Sequence, residues 1–246
     1  MDDIIFGRNP VLEAIKSGRA IDKILIKKGR YEGSVVSVVK RAKENGIVIQ
    51  ETEKKKLDEI CRGENHQGVV AYVSACDYAS VGDILKRARD KNEAPFVVIC
   101  DKITDPHNLG AVIRTANCVG AHGIIIPKRN SAGLNSIAAK TAAGALEYTP
   151  VAKVTNIAQT IDDLKKEGLW ICAADMDGEP MYKTDLKGAL GIVIGSEGGG
   201  ISRLVKERCD FTASIPMAGE INSLNASVAA AVIMYEALRQ RAQHEK

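Results

Sequence analysis

Aromatic residues are scarce in this chain: Phe, Trp and Tyr make up 4% of its 246 residues. They are scattered singly, so no predicted strand carries the aromatic face on which single-stranded bases stack. If the chain binds nucleic acid, contacts with the backbone and shape of that nucleic acid should dominate. Long apolar runs are missing as well, since the longest ones have the length of strands, and this predicts no membrane span.

The cysteines and histidines form no metal-binding pattern. None of the six cysteines belongs to a CxxC pair, and no histidine lies at ligand spacing from any of them. No secretory signal peptide is recognisable either. These features predict reduced thiols, a cytoplasmic location and the absence of a metal site.

Nucleotide-binding fingerprints are missing too. A glycine-rich segment at 195–202 (GSEGGGIS) follows an apolar run, but no lysine follows its glycines, which excludes a GxxxxGK[ST] phosphate loop. The dinucleotide fingerprint GxGxxG is absent from this segment and from the region after the run at 96–100. The sequence therefore disfavours a nucleotidase and an ordinary nicotinamide-dependent oxidoreductase.

The charges that are present are divided unevenly. The net charge of +3 results from 34 Lys+Arg and 31 Asp+Glu. Residues 1–75 contain 14 basic and 11 acidic residues, residues 76–93 contain 4 of each, and residues 94–246 contain 16 of each. The whole excess lies in the N-terminal part, which points to a polyanionic partner there.

From position 94 onward, short apolar runs alternate with helical patterns, which is typical of an α/β fold. Because the runs are continuously apolar, they predict strands of a parallel sheet that is covered on both faces. These strands lie at 96–100, 123–126, 151–154, 169–173, 190–194 and 211–215, with helices at 108–119, 135–145, 157–167, 202–208 and 223–241. Residues 1–75 repeat the pattern with strands at 23–26, 47–49 and 69–73 and helices near Pro10 and at 34–45. We therefore predict domains at 1–75 and 94–246, joined by a linker at 76–93 with one short helix.

Three polar or glycine-rich segments follow predicted strands and should meet at the carboxyl edge of the sheet, where ligands bind in open parallel sheets. The first, at 104–110 (TDPHNLG), leads into the helix that carries Arg114. It has two interpretations. It is either a turn capped by Asn108 with Arg114 as a solvated cation, or it presents an arginine that grips a phosphate bidentately.

The other two segments, at 195–202 and 215–227, likewise allow a structural and a ligand-binding interpretation. Four glycines surround Glu197 in the segment at 195–202, which indicates either a simple turn or a backbone that approaches a ligand closely. The segment at 215–227 (IPMAGEINSLNAS) contains Ser223, Asn225 and Ser227 in the predicted opening turns of the last helix. One capping residue would suffice there, so three alternating hydrogen-bonding side chains predict a further role.

These segments resemble a known family. Residues 108–116 (NLGAVIRTA), 191–202 (GIVIGSEGGGIS) and 215–229 (IPMAGEINSLNASVA) are similar, in order and position, to the three motifs of the SpoU (TrmH-type) branch of the SPOUT RNA 2′-O-ribose methyltransferases. Residues 6–15 (FGRNPVLEAI) and 66–71 (HQGVVA) resemble the N-terminal RNA-binding module of some members. The resemblance covers nearly the whole chain.

The resemblance implies a specific architecture. The catalytic α/β domain with its parallel sheet would have a C-terminal segment that passes through a loop, forming a deep trefoil knot. A small α/β RNA-binding domain with a fold like that of ribosomal protein L30e would precede it. A homodimer would form through the knot and the last helix, which is apolar over more than one stripe. The knot would hold the cofactor S-adenosylmethionine through Gly195, Glu197, Gly198, Ile215, Met217 and Leu224.

The resemblance also implies catalytic residues, namely Arg114, Asn108, Glu197, Ser223 and Asn225. Arginine has a pKa above about 12, so Arg114 is expected to bind a phosphate and polarise the ribose hydroxyl rather than to act as a base. Asn108 would orient Arg114, and Glu197 would pair with Arg114 or accept from the ribose. Ser223 and Asn225 would fix the nucleotide and the cofactor loop. The sulfonium methyl is already activated, so the reaction needs no metal.

The implied reaction is methyl transfer to the 2′-hydroxyl of a ribose in 23S ribosomal RNA, with guanosine as the expected nucleoside. Members of this family that act on tRNA generally lack the N-terminal module, which favours ribosomal RNA. A tRNA ribose methyltransferase and a non-catalytic RNA-binding ribosome-assembly factor are the alternatives.

Overall fold

A computed structural model of the chain describes residues 3–244. The chain divides into two compact units. The N-terminal unit consists of Met1–Asp77 together with Gly133–Ser136, and the C-terminal unit consists of Tyr78–Ala132 together with Ile137–Lys246.

The N-terminal unit is a four-stranded mixed sheet with helices on both faces. Its sheet has the order β1-β4-β2-β3, in which β2 and β3 are parallel and the other neighbours are antiparallel. The elements are β1 (Ile4–Phe6), α1 (Arg8–Lys16), β2 (Ile21–Lys27), α2 (Ser34–Glu44), β3 (Val48–Thr52), α3 (Lys54–Ile60) and β4 (Val69–Val73).

Alternation along β2 directs its side chains to the two faces of this sheet. Ile24 and Ile26 pack with the apolar stripes of α1 and α2, whereas Leu25 packs with Leu57 of α3. The predicted strands at 23–26, 47–49 and 69–73 are confirmed, but β1 and α3 were not predicted. The first is only three residues long, and Leu57 is the only buried residue of the charged segment that forms α3.

The C-terminal unit is built on a six-stranded sheet in the order β10-β8-β9-β5-β6-β7, and each strand is parallel to its neighbours. The prediction of an α/β fold with a parallel sheet is therefore confirmed. Every residue of the central strands β5 and β9 is buried, as their continuous apolar runs predicted. The strands are β5 (Phe96–Cys100), β6 (Gly123–Pro127), β7 (Val151–Val154), β8 (Trp170–Pro180), β9 (Leu190–Ile194) and β10 (Phe211–Ser214).

The helices that connect these strands follow the predicted pattern. They are α4 (Val81–Asp90), α5 (Pro106–Cys118), α6 (Ser136–Ala142), a short 3-10 helix (Ala145–Glu147), α7 (Ile157–Lys166), α8 (Arg203–Lys206) and α9 (Ala226–His244). The last helix begins at Ala226 rather than at position 223, because Asn225 caps it. The expectation that Ser223 and Asn225 lie within its opening turns is therefore wrong.

Strand β8 extends to Pro180, well beyond the predicted end at position 173. Its second half is polar and gives no apolar signal. The extension pairs with β10 at Glu179 and Pro180, and Lys206 forms ion pairs with Asp175 at 3.0 Å and with Asp177 at 2.7 Å. Pairing with β10 and the ion pairs of Lys206 stabilise this polar extension, which hydrophobicity alone does not identify.

The segment that the sequence suggested as a linker contains α4, which begins with a capping box. Ser80 Oγ accepts from the backbone N–H of Asp83, and the Asp83 carboxylate accepts from the N–H of Ser80. Ile84 and Leu85 of this helix are buried in the core of the C-terminal unit. The functional boundaries at 1–75, 76–93 and 94–246 remain a prediction, whereas the contacts of the backbone divide the chain after Asp77.

All six cysteines are free thiols. Burial raises the pKa of Cys100 and of Cys172 to about 12, so both remain protonated at neutral pH. Within residues 3–244, no helix combines the length and apolar character that crossing a bilayer requires.

Candidate functional site

Three loops at the carboxyl ends of buried strands form the candidate site in the C-terminal unit. They follow β5, β9 and β10. The three polar segments that the sequence indicated lie in these loops and in the first turns of the helices α5 and α9 that follow two of them. Because β5 and β9 are neighbours in a parallel sheet, their loops emerge side by side.

A hydrogen-bond network joins one side chain from each of these segments. Asn108 Nδ2 donates to Glu197 Oε1 at 3.1 Å, and Asn225 Nδ2 donates to Asn108 Oδ1 at 3.0 Å. Asn225 Nδ2 also donates to Glu197 Oε1, and the backbone N–H of Ala226 reaches the same oxygen at 3.4 Å. Three residues that are distant in sequence therefore form one polar cluster.

Asn225 has two functions at this point. Its Oδ1 accepts from the backbone N–H groups of Ser227 at 2.9 Å and Val228 at 3.2 Å, which makes it the N-cap of α9. Its amide donates to the cluster. The alternating pattern of polar residues thus has a partly structural origin, since the hydroxyl of Ser227 donates to the same Asn225 oxygen. Ser223 is exposed and has no hydrogen bond within residues 3–244.

The helix that carries Asn108 begins earlier than a cap at Asn108 would allow. Asp105 caps α5 by accepting from the backbone N–H of His107 at 2.9 Å, and Pro106 follows in the first turn. The interpretation of Asn108 as the cap is therefore wrong. Its side chain is buried and is available to the polar cluster instead.

Arg114 forms no hydrogen bond or ion pair with Glu197 or Asn108 within residues 3–244, so a single described chain does not have the pairing with Glu197 that was one of its two predicted roles, or an orienting contact from Asn108. Six positions along an α-helix rotate a side chain by about 240° and move it about 9 Å along the axis, so Arg114 leaves α5 in a direction different from that of Asn108. Arg114 is exposed and has no ion pair or hydrogen bond in the part of the chain that the structure describes.

The glycines of the loop at 195–202 have different physical roles. A Cβ on Gly195 would lie 2.2 Å from the carbonyl carbon of Gly200, and Gly200 itself has φ of +59°, so both are required by the turn. A Cβ on Gly198 would meet nothing within 4 Å, and its backbone has no positive φ. The turn therefore does not explain Gly198, and an open surface remains there for a ligand.

Asp101 supports the end of this loop and was not among the predicted residues. It is 3% exposed, and it accepts from the backbone N–H of Ser202 at 2.7 Å and from the hydroxyl of Ser202. A carboxylate placed directly after the apolar run of β5 is the signal that could have identified it. Its contacts link the loop after β5 with the loop after β9.

A cavity of about 490 Å³ lies beside the polar cluster and is lined by Asn108, Glu197 and Gly198. Lys102 and Asn130 also line it, and both adopt left-handed backbone conformations, with φ of +60° and +55°. Such conformations are uncommon for residues other than glycine and concentrate at functional sites. The sequence pattern gave no signal for either residue.

The remaining cofactor candidates lie on the loop after β10. Ile215 is half-buried, while Met217 and Leu224 are 38% and 37% exposed. They do not line the cavity next to Glu197. No group of His, Cys, Asp or Glu within residues 3–244 is arranged to hold a metal ion.

Comparison with known proteins identifies the family. Residues 95–235 match the SpoU rRNA Methylase family. The chain belongs to the SpoU rRNA methylase family. Residues 4–79 of this SpoU methylase match a second family, described as RNA 2′-O ribose methyltransferase substrate binding. The resemblance inferred from the sequence motifs is thereby confirmed.

Several relatives of this SpoU methylase match nearly the whole chain. It is 48% identical to the putative TrmH family tRNA/rRNA methyltransferase YacO of Bacillus subtilis, over 97% of this chain and 96% of that protein. The AdoMet-bound rRNA methyltransferase of Sinorhizobium meliloti has a TM-score of 0.59 at 25% identity, over 96% and 87% of the two chains. The SpoU methyltransferase AviRb of Streptomyces viridochromogenes with AdoMet has the same fold, with a TM-score of 0.61 at 24% identity over 98% and 90%.

Proposed function

We propose that this SpoU methylase transfers a methyl group from S-adenosylmethionine to the 2′-hydroxyl of a ribose in 23S ribosomal RNA, with guanosine as the nucleoside. The network of Asn108, Glu197 and Asn225 carries the proposal, because it joins the three polar segments into one site. The N-terminal match to a substrate-binding family supports an RNA substrate. The reduced thiols and an RNA substrate fit an enzyme of the cytoplasm.

The loops at the carboxyl edge fit the proposed cofactor. The open surface at Gly198 allows a ligand to approach the backbone closely, and the partly exposed Met217 and Leu224 offer apolar contact. Two structures of similar fold have AdoMet bound. We propose that Gly195, Gly198, Ile215, Met217 and Leu224 surround it, within a trefoil knot formed by the C-terminal segment.

The proposed chemistry assigns one role to each polar group. The cofactor supplies an activated methyl group. Arg114 binds a phosphate next to the target nucleotide and polarises the 2′-hydroxyl, whose proton passes to that phosphate. A guanidinium is suited to this role by its bidentate fork, and its pKa above about 12 rules out simple proton abstraction.

Glu197 has one oxygen free for the substrate. Its three described contacts, from Asn108, Asn225 and Ala226, all end on Oε1. Within the described residues Oε2 has no hydrogen-bond donor, so we assign it to a hydroxyl of the ribose. Asn108 and Asn225 hold the carboxylate in this orientation, and Ser223 contacts the nucleotide.

A reaction with S-adenosylmethionine that carries an isotopic label in its methyl group tests this function. We expect incubation with S-adenosylmethionine and transcribed, unmodified 23S ribosomal RNA to yield 2′-O-methylguanosine after digestion to nucleosides, as measured by mass spectrometry. A parallel reaction with transfer RNA addresses the alternative substrate. Label on a base would contradict the ribose as acceptor, and label in transfer RNA alone would contradict ribosomal RNA. Failure to bind S-adenosylmethionine in calorimetry would favour the non-catalytic RNA-binding factor.

We also propose that the chain acts as a homodimer through the knot and α9. Ala230, Ile233 and Ala237 are buried, yet Val228 and Tyr235 on another side of the helix are 47% and 51% exposed. An apolar stripe of this kind is suited to a second copy of the chain.

The exposed stripe of α9 gives a prediction about mass in solution. Val228→Glu should convert the dimer to a monomer in light scattering, because a buried unpaired carboxylate is costly. Val36→Glu is the matched control, since Val36 is also a helical valine, 51% exposed, on α2 of the N-terminal unit. A monomeric wild type, or a dimeric Val228→Glu protein, would contradict the interface.

A further inference from the structure

The N-terminal unit contains a cavity of about 630 Å³ that the proposed chemistry does not use. It lies where β2 ends, between the loop that follows β2 and the loop that precedes β4. Its volume falls in the range of pockets that take a small organic ligand.

The cavity concentrates positive charge. Five of the 14 basic residues in positions 1–75 line it, together with the acidic residues Glu32, Asp58 and Glu64. Lys27 and Arg30 are exposed, and neither has an ion pair in the part of the chain that the structure describes. The basic residues of the lining are Arg8, Lys27, Lys28, Arg30 and Lys54. Two cations are therefore free to bind an anionic ligand.

Hydrogen bonds fix the wall formed by the loop before β4. Arg8 Nε donates to the carbonyl oxygen of Gln67 at 3.1 Å, and the backbone N–H of Arg8 donates to Gln67 Oε1 at 3.2 Å. The buried His66 ring accepts from the backbone N–H of Gly68 at 2.9 Å through Nδ1, and its Nε2 lies 2.9 Å from Asp58 Oδ1. Gln67 has φ of +51°, an uncommon conformation outside glycine. This wall is preorganised.

Tyr31 supplies an aromatic surface in the opposite loop. Its ring packs against the apolar core of the unit, and its hydroxyl donates to Glu51. It is half-buried and lines the cavity. A ring held at both ends in this way is suited to stacking with one flat group.

We propose that this cavity binds a single unpaired nucleotide of the RNA substrate, with the base against Tyr31 and the adjoining phosphates on Lys27 and Arg30. The proposal rests on the proposed function only in taking RNA as the partner. One aromatic ring with two free cations matches one nucleotide rather than a run of stacked bases. A base within a duplex has no free face to offer the ring, so an unpaired position is required.

Binding to two matched hairpins tests the proposal. Binding of the full-length protein to fluorescent RNA hairpins with or without a single-nucleotide bulge is compared by anisotropy in 0.1 M salt. Both hairpins are closed by a non-nucleotide linker instead of a nucleotide loop, so the bulge is the one unpaired position. We expect about tenfold tighter binding of the bulged hairpin. The Lys27→Gln/Arg30→Gln variant should lose this preference, and its slope of log affinity against log salt should decrease by about 1 to 2. Equal binding of the two hairpins by wild type would overturn the proposal.

The controls separate this site from overall charge and from folding. Lys40→Gln/Lys43→Gln removes the same charge from exposed positions of α2 that do not line the cavity, and it should keep the preference for the bulge. Loss of the preference in this control would overturn the specific site. Tyr31→Ala should weaken binding of the bulged hairpin about tenfold, whereas Tyr31→Phe keeps the ring and should bind like wild type.

Activity measurements distinguish the failure of this proposal from that of the proposed function. Wild type that prefers the bulged hairpin but transfers no methyl group supports the nucleotide site and contradicts the methyltransferase activity. In an active wild type, the Lys27→Gln/Arg30→Gln variant should increase KM for RNA and leave kcat unchanged; an unchanged KM would overturn the site. Guanosine monophosphate distinguishes a free nucleotide from RNA, and binding as tight as that of the bulged hairpin would overturn an RNA site.

Discussion

Replacing Arg114 by alanine should lower kcat for methyl transfer by at least about 100-fold, the usual cost of losing a group that stabilises charge in the transition state. Affinity for S-adenosylmethionine should stay within about twofold of wild type, because the proposed partner of Arg114 is a phosphate of the RNA. Arg114 is exposed and has no hydrogen bond or ion pair within the described residues, so its guanidinium is available to bind a phosphate. Single-turnover kinetics and calorimetry provide the two measurements.

Arg114→Lys isolates the geometry of the guanidinium from its charge. The variant keeps the positive charge but loses the bidentate fork, so we expect at least about a tenfold loss in kcat. Arg203→Lys is the control, since Arg203 is an exposed arginine of the same unit that pairs with Glu207, the residue directly after its helix. Near-normal transfer by Arg114→Lys would contradict the bidentate geometry, and a strong loss of cofactor binding in Arg114→Ala would move Arg114 into the cofactor site.

The second large effect concerns the loop after β9. Gly195→Ala should destabilise the protein by about 1–3 kcal/mol or more, because its Cβ would lie 2.2 Å from the backbone of Gly200. For a chain of this size the melting temperature should decrease by several degrees. Affinity for S-adenosylmethionine should decrease at least about tenfold, since the loop must shift. Differential scanning fluorimetry and calorimetry measure the two effects.

Gly198→Ala separates folding from binding in the same loop. Its Cβ meets nothing within 4 Å, and its φ is not positive, so the melting temperature should remain within about 2 °C of wild type. Cofactor affinity should nevertheless decrease, because the methyl group occupies the surface proposed for the ligand. Wild-type affinity in Gly198→Ala would exclude Gly198 from the cofactor site, and an unchanged melting temperature in Gly195→Ala would show that the loop accommodates a side chain.

Sequence patterns predicted the parts of the fold in which local composition and burial agree. The central strands β5 and β9 are entirely buried, so each appears as a continuous apolar run with clear ends. The same logic missed the polar extension of β8, whose support comes from pairing with β10. Short or charged elements such as β1 and α3 depend on tertiary contacts for which the sequence carries little signal.

The sequence predicted which residues form the candidate site better than it predicted how they are arranged. The segments that contain Asn108, Glu197 and Asn225 were identified, and the structure brings these three side chains together. Their catalytic roles remain predictions. Two roles were predicted for Glu197. An ion pair with Arg114 is not found among the described residues, where helix periodicity directs Arg114 away from Asn108, and acceptance from the ribose stays a prediction. Asp101 was missed because its role depends on a loop that is distant in sequence.

The segment Gly133–Ser136 gives the N-terminal unit a discontinuous sequence. It runs from the loop after β6 to the first residue of α6. Leu134 O accepts from the backbone N–H of Ala75 at 2.6 Å, and the backbone N–H of Ser136 donates to Asp3 at 2.9 Å. A Cβ on Gly133 would lie 2.1 Å from Asp22 Oδ2. The N-terminal substrate-binding unit therefore cannot be exchanged as one continuous segment of the chain. A chimera that replaces residues 1–77 needs a matching exchange of the four residues Gly133–Ser136, which interrupt the sequence of the C-terminal unit.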